Sequence, residues 1–152
     1  MRTLRPAIVL TLLALDRATK LWAMRDLRVH GPIPVLPFFD LSYVENTGAA
    51  FGMGRGANGF FIVVSAALIV ILFRFLRRWS QTDLWLQAGG TLVLTGAIAN
   101  LYDRIAYRYV VDFLYIHYWP VFNVADSCIT VGAVMLAWGM KDPPKTEKAA
   151  SR

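Results

Sequence analysis

Two aspartates in the C-terminal half have the residue type and spacing for acid–base chemistry. Asp112 lies in the apolar run Val110-Val111-Asp112-Phe113, and Asp126 follows fourteen positions later. Two carboxylates that meet in a poorly hydrated site do not both ionise cheaply, so one member holds a proton. The ionised member can then activate a water while the other polarises a carbonyl. An alternative stays open, in which Asp126 caps a helix and Asp112 pairs with Arg104 or Arg108.

Two polar clusters could support such a pair. Asn100 and Arg104 lie four positions apart, so on a helix they share a face and could hold a carboxylate or a peptide carbonyl. Asn46 is followed by Thr47, Gly48 and further small residues, which allow close approach of a backbone or a ligand. The alternative for both clusters is polar capping at the ends of apolar segments.

Other candidate chemistry is less specific. Asp16 and Lys20 also stand at i and i+4 and share a helix face. Cys128 has no nearby histidine and is expected to be a buried, inert thiol. A nucleophile pair of Ser127 with Lys20 has no specific support. One cysteine and two isolated histidines in the chain argue against a disulfide scaffold and a metal site, so we expect no metal.

The glycine-rich stretch 54–59 matches the pattern GxGxxG of dinucleotide-binding proteins. That fingerprint requires a preceding buried strand and an acidic residue about 20 positions further on. Here an apolar segment follows, and position 79 is a tryptophan. The stretch is therefore interpreted as a turn that leads into a helix.

The elements that must carry these residues are strongly apolar. The chain of 152 residues is 57% hydrophobic and 17% charged, with a mean hydropathy of +0.47. Its apolar segments approach the length that crosses a hydrocarbon core of about 30 Å. The composition predicts an all-α membrane protein with four transmembrane helices, over about 7–24, 56–73, 84–102 and 123–140.

The distribution of charge predicts an orientation. Four spans place both termini on one side, and the whole net charge of +6 lies on that side. The positive-inside rule assigns this side to the cytoplasm, so the basic excess indicates a membrane and no nucleic-acid partner. A cleaved signal peptide is the rival interpretation of the first segment, but Asp16 stands where the cleavage site would have to be.

Three segments remain outside the spans. Residues 25–55 form an external stretch in which Leu41–Glu45 alternates like a short strand. Residues 103–122 form a second outer segment. The chain is thus predicted to contain one membrane domain over residues 1–141 and a disordered cytoplasmic tail over 142–152.

Five short blocks, in order along nearly the whole chain, carry a resemblance to a known family. The sequence resembles the lipoprotein signal peptidases (signal peptidase II), which are bacterial membrane aspartyl proteases. The matching blocks are Asp16-Arg17-Ala18-Thr19-Lys20, Asn46-Thr47-Gly48-Ala49-Ala50-Phe51-Gly52, Asn100-Leu101-Tyr102-Asp103-Arg104, Val110-Val111-Asp112-Phe113 and Phe122-Asn123-Val124-Ala125-Asp126.

The resemblance implies a fold, an activity and roles for residues. It implies four helices in the bacterial inner membrane, cytoplasmic termini and a small external β-cradle at about 25–55. The substrate would be a diacylglyceryl-modified prolipoprotein, cut before its lipidated cysteine, with membrane lipids as further partners and no cofactor. By motif match Asp112 and Asp126 would be catalytic. Substrate or the aspartate pair would be positioned by Asn46, Gly48, Asn100, Arg104 and Asn123, and the scaffold would be held by Asp16, Lys20 and Asp103.

The chain departs from the family at three positions. The family often has glutamine where this chain has Arg17, and glycine where it has Ala99 and Arg108. A small proton-coupled transporter is the alternative function, because acids in membrane segments also serve proton transport. Transporters place such acids near the bilayer midplane, whereas Asp112 and Asp126 are expected at one outer edge.

Overall fold

A computed structural model describes residues 6–48, 57–78 and 84–140. The tail predicted for 142–152, the end of the outer stretch at 49–55 and the first five residues lie outside the described residues.

Four long helices correspond to the four apolar segments of the sequence. Helix α1 continues into a π-helical turn and a single turn named α2. The helices are α1 (Pro6–Trp22), the π turn (Ala23–Leu27), α2 (Arg28–His30), α3 (Ala57–Arg78), α4 (Leu84–Ala106) and α5 (Val124–Gly139).

Two of these helices are long and apolar enough to cross a membrane by themselves. They are Asn58–Arg77 within α3 and Leu84–Ala106, which is all of α4. Helices α1 and α5 contain 17 and 16 residues. At about 1.5 Å rise per residue they are somewhat shorter than a hydrocarbon core.

Helices α4 and α5 touch backbone to backbone along a seam of glycines. A Cβ atom added at Gly89 would lie 2.7 Å from the carbonyl oxygen of Gly132, and one added at Gly132 would lie 2.6 Å from that of Gly89. Nearer the start of α5, a Cβ at Gly96 would overlap the carbonyl of Ala125. Only residues without side chains allow this approach, which places the first turn of α5 against α4.

The chain also forms a three-stranded antiparallel sheet of β1 (Ile33–Leu36), β2 (Phe39–Asn46) and β3 (Val110–Ile116), in that order. The predicted strand Leu41–Glu45 lies within β2. The all-α prediction missed β3, which comes from the second outer segment. Its first four residues are all buried, so the alternating pattern of a half-buried strand is absent from the sequence.

A small apolar core joins this sheet to the end of α1. Ala23 and Leu27 of the π turn pack with Val111 and Phe113 of β3. The pairing of β2 with β3 puts Val44 opposite Asp112 and Asn46 opposite Val110. The amide of Asn46 and the carboxylate of Asp112 are thereby brought to the same end of the sheet.

Candidate active site

Asn123 joins the two aspartates that the sequence singled out. Its side-chain Nδ2 donates to Asp112 Oδ1 at 2.7 Å, and its backbone N–H donates to Asp126 Oδ2 at 3.2 Å. The Asn123 side chain also accepts from the backbone N–H of Asp126 at 2.8 Å, which completes a capping box at the start of α5. The capping alternative for Asp126 is therefore real, and Asn123, which forms the cap with Asp126, also bonds Asp112.

Each carboxylate receives a further amide donor. Asn46 Nδ2 donates to Asp112 Oδ2 at 2.8 Å, and Asn100 Nδ2 donates to Asp126 Oδ1 at 2.7 Å. Within the described part of the chain, neither carboxylate forms an ion pair with a basic side chain. The alternative pairing of Asp112 with Arg104 or Arg108 is not formed there.

Burial changes the acidity of Asp112, which lies on the strand outside the helices. The pKa of this carboxyl is raised to about 6, chiefly because burial desolvates it and also because the negative charge of Asp126 disfavours its ionisation. The hydrogen bonds from Asn46 and Asn123 and the charge of Lys20 lower the pKa. A carboxyl with this acidity can exchange a proton near neutral pH.

A second group of buried acids surrounds Lys20, whose side chain is 0% exposed. Its Nζ lies 2.9 Å from Asp16 Oδ2, 2.8 Å from Asp103 Oδ2 and 3.0 Å from Asn100 Oδ1. Asp16 also accepts the backbone N–H of Ala125 at 2.9 Å. The cluster therefore joins α1, α4 and the first turn of α5.

Asn100 connects the lysine cluster to the aspartate pair. Its Oδ1 accepts from Lys20 Nζ at 3.0 Å and from Asn123 Nδ2 at 3.2 Å. With two donors on this oxygen, the Asn100 amino group must point away from the lysine, towards Asp126. The orientation of the Asn100 amide is thus fixed from both sides.

Arg104 and Gly48 both lie against the ring of Phe61. Gly48 has a φ of 81° and donates its N–H to Asn46 Oδ1 at 2.9 Å, which orients the Asn46 amide. The Arg104 guanidinium stacks on the ring of Phe61, 4.6 Å from its centroid. Asn58 Nδ2 donates to the Arg104 carbonyl at 3.1 Å.

Sequence reasoning missed Asn58 and Phe61. Asn58 falls inside the GxGxxG-like stretch, where the glycines dominate the pattern. A polar residue at the start of an apolar helix is the signal that could have identified it. Phe61 is one of many aromatic residues in an apolar segment, and no sequence pattern distinguishes it from its neighbours.

Other candidates behave differently from the aspartates. Ser127 Oγ donates to the carbonyl of Asn123 at 3.0 Å, and Lys20 has the partners given above, so a Ser127–Lys20 pair is not formed. Cys128 is a buried free thiol. Among the described residues no group of three or more His, Cys, Asp or Glu side chains is arranged to hold a metal ion.

An apolar groove of about 660 Å³ opens beside Asp126. Along α5 it is lined by Ser127, Thr130 and Val131, and the loop after β3 contributes Trp119 to the other wall. An elongated apolar chain that lies in this groove would lie beside the Asp126 carboxylate.

The chain is similar to a solved structure in fold and to curated proteins in sequence. A solved "Bacterial membrane enzyme structure by the in meso method at 1.9 A resolution" superposes with a TM-score of 0.83 at 26% identity, covering 91% of this chain and 92% of that one. The lipoprotein signal peptidase of Clostridium novyi (strain NT) is 38% identical over 136 residues, 86% of this chain and 92% of the relative. That of Pseudomonas putida KT2440 is 42% identical over 148 residues, 91% and 86% of the two chains.

Fold and neighbours together define a bacterial membrane enzyme. Residues 8–141 match the family described as Signal peptidase (SPase) II, and the chain belongs to this family. Its activity is that of an aspartic endopeptidase that removes signal peptides from prolipoproteins. The peptidase prediction is confirmed in preference to the transporter.

Proposed function

We propose that Asp112 and Asp126 form the catalytic pair of this peptidase. The observation that carries the proposal is the double contact of Asn123, which donates to Asp112 at 2.7 Å and to Asp126 at 3.2 Å. One residue that bonds both carboxylates keeps them at a fixed separation. Among residues 6–48, 57–78 and 84–140, only amide groups bond the two carboxylates, so neither acid is committed to a permanent counter-charge there.

The pair acts on a water molecule and the scissile carbonyl. The ionised aspartate takes a proton from the water as its oxygen attacks the carbonyl carbon, and the protonated aspartate donates to the carbonyl oxygen. The tetrahedral intermediate then collapses: one of its hydroxyls returns a proton to the ionised aspartate, the C–N bond breaks, and the protonated aspartate gives its proton to the leaving nitrogen. Each turnover consumes one water and returns the pair to its shared-proton state. Because the two acids share one proton, they titrate as a unit.

Three polar side chains position the reacting groups. Asn46 and Asn100 each donate one hydrogen bond to one aspartate. Arg104 has a buried Nη1 that has no hydrogen-bond partner in the described part of the chain. This donor is suited to a peptide carbonyl of the substrate. Gly48 orients Asn46, and the cluster of Asp16, Lys20 and Asp103 holds the helices that carry the site.

The substrate we propose is a prolipoprotein with a diacylglyceryl group on the cysteine that follows the cleaved bond. The apolar groove beside Asp126 supports this, because it offers apolar side chains to an acyl chain or an apolar signal peptide. Each buried methylene contributes roughly 0.8 kcal/mol, so one acyl chain adds substantial binding. No cofactor enters the reaction.

The lipid requirement is tested with purified protein in detergent and a matched pair of precursors, one with and one without the diacylglyceryl group. We expect cleavage directly before the cysteine, located by mass spectrometry, and a large preference in kcat/KM for the lipidated precursor. Equal rates on the two precursors would contradict the proposed substrate.

We also propose that all four long helices cross the inner membrane with both termini in the cytoplasm. Residues 1–141 then form one peptidase domain, and the sheet lies outside. Reporter fusions after Met140 and near Pro34 test this orientation. An external signal at the C-terminal fusion would overturn it.

A further inference from the structure

The ring of Phe61 lies between two parts of the active site. On one face the Arg104 guanidinium carbon is 4.6 Å from the ring centroid. Gly48 is so close to the ring that a Cβ atom there would overlap its edge. Phe60 packs edge-on against the same ring at a centroid distance of 5.6 Å. These contacts leave the ring of Phe61 little freedom to rotate or shift.

The first turn of α3 holds Arg104 at two points. Asn58 and Phe61 are three residues apart and therefore share one face of the helix. Asn58 bonds the Arg104 carbonyl at 3.1 Å, while Phe61 carries the guanidinium. Helix α3 thus fixes both the main chain and the guanidinium of Arg104. It does so although no residue of its apolar stretch Asn58–Arg77 is buried.

A ring holds a cation in a different way from a carboxylate. A carboxylate accepts N–H bonds and so occupies the donors of the guanidinium, whereas a π face attracts the charge and accepts none of them. Arg104 forms no ion pair within 4.0 Å in residues 6–48, 57–78 and 84–140, and its buried Nη1 lacks a hydrogen-bond partner there. The charges of Asp112 and Asp126 nevertheless act on this guanidinium.

We propose that Phe61 is a positioning residue of the peptidase. The negative face of its ring fixes the Arg104 guanidinium beside the aspartate pair and leaves Nη1 free to bind a substrate carbonyl. The buried Oδ1 of Asn58, which also lacks a partner in the described residues, offers an acceptor on the same turn. The inference rests on the proposed role of Arg104 in substrate binding.

The test varies the electrostatics of the ring while its size stays nearly constant. Phe61 is replaced by phenylalanines that carry one, two and three ring fluorines, which weaken the negative face step by step. We expect kcat/KM on a lipidated precursor to fall stepwise, by about tenfold over the series, since a desolvated cation–π contact is of that strength. The unfolding temperature should stay constant, because nearly isosteric rings preserve the packing.

Phe60 provides the matched control. It belongs to the same turn and touches Phe61, but the residue is 59% exposed and its ring carries no cation in the described contacts. The same fluorinated series at Phe60 should leave kcat/KM unchanged. An unchanged kcat/KM across the Phe61 series, or an equal decline of kcat/KM at both positions, would overturn the inference.

An Arg104→Gln variant separates this inference from the proposal on which it rests. Wild-type kcat/KM in Arg104→Gln would show that Arg104 does not bind substrate, and the role of Phe61 would fall with it. A strong loss of kcat/KM in Arg104→Gln, combined with an unchanged kcat/KM across the Phe61 series, would support substrate binding by Arg104 and refute the positioning role of Phe61. A strong loss together with a graded Phe61 series supports both.

Discussion

The molecule contains two groups of buried acids that differ in their partners. Asp16 and Asp103 lie within 3 Å of the ammonium group of Lys20, and Arg17 adds a second cation to Asp103. Asp112 and Asp126 are held by amide groups of Asn46, Asn100 and Asn123. The two groups share Asn100, which bonds both Lys20 and Asp126.

The difference separates structural from chemical use of the same side chain. A buried carboxylate beside a buried cation is compensated, and its loss leaves the cation without a partner. A carboxylate held by neutral amides keeps its hydrogen bonds while its charge is uncompensated, so it can exchange a proton. We therefore expect substitutions in the lysine cluster to affect folding and those in the aspartate pair to affect turnover.

The largest effect is expected from Asp112→Asn and Asp126→Asn. Asparagine nearly matches aspartate in shape but supplies no base, so each variant should lose about 10³-fold or more in kcat. The double variant should be little worse than either single one, because the two acids act on one water. Cleavage of a lipidated precursor by each folded variant measures this effect. Near-normal turnover in either single variant would contradict the expectation that the aspartate pair performs the chemistry.

Asp103→Asn tests the expected structural role of the cluster around Lys20. This change removes the charge that faces both Lys20 Nζ, at 2.8 Å, and Arg17 Nη1, at 2.9 Å. Breaking a buried ion pair costs about 3–5 kcal/mol, so the unfolding free energy in detergent should fall by that order while some turnover remains. Glu45→Gln is the control, since its pair with Arg28 is exposed and spans 3.7 Å, and should cost less than about 1 kcal/mol. Equal losses in both variants would contradict a special role for the cluster.

The pH dependence of stability gives a smaller effect. Burial raises the pKa of Asp112 from 3.8 to about 6, so the folded state binds this proton more tightly than the unfolded chain does. Stability should therefore fall as the pH rises from about 4 to about 6, by up to about 3 kcal/mol, and stay lower above that window. The Asp112→Asn variant lacks this contribution. Parallel stability curves for the variant and the wild type between pH 4 and pH 7 would contradict the assignment.

The smallest effect concerns the turn that leads into β3. Arg108 has a φ of 72°, a conformation that favours glycine. Arg108→Gly should raise the unfolding free energy by about 0.5–1 kcal/mol, because relief of backbone strain exceeds the added entropy of the unfolded chain. Arg108→Ala is the control, since alanine removes the charge but keeps the Cβ. Equal stabilities of the glycine and alanine variants would show that the backbone here is unstrained.

The sequence predicted those parts of the molecule that depend on local spacing. The i, i+4 relation of Asp16 and Lys20 predicted a shared face, and their charged atoms are 2.9 Å apart. The four long helices followed from apolar runs. The five motif blocks identified the family, which the comparisons confirm.

Contacts between distant segments were beyond local patterns. Strand β3 has four consecutive buried residues and so lacks alternation. The contact of Phe61 with Gly48 and Arg104 depends on how α3 packs against α4, which no residue spacing encodes. The shared use of Asn100 by Lys20 and Asp126 likewise requires α1, α4 and α5 to be assembled first.

The contact between the glycines of α4 and α5 fixes the position of the Asp126 carboxylate. Asp126 lies six residues from Gly132, or about 9 Å along α5, where the backbones of α4 and α5 are in contact. Backbone atoms cannot move aside for an added methyl group. A methyl group at Gly132 would therefore push α5 away from α4, and the rigid helix would carry this shift to the Asp126 carboxylate. The same methyl group on the outer face of α3 would be accommodated by fluid lipid. The position of Asp126 relative to Asp112 thus depends on Gly89 and Gly132, two residues that have no side chain.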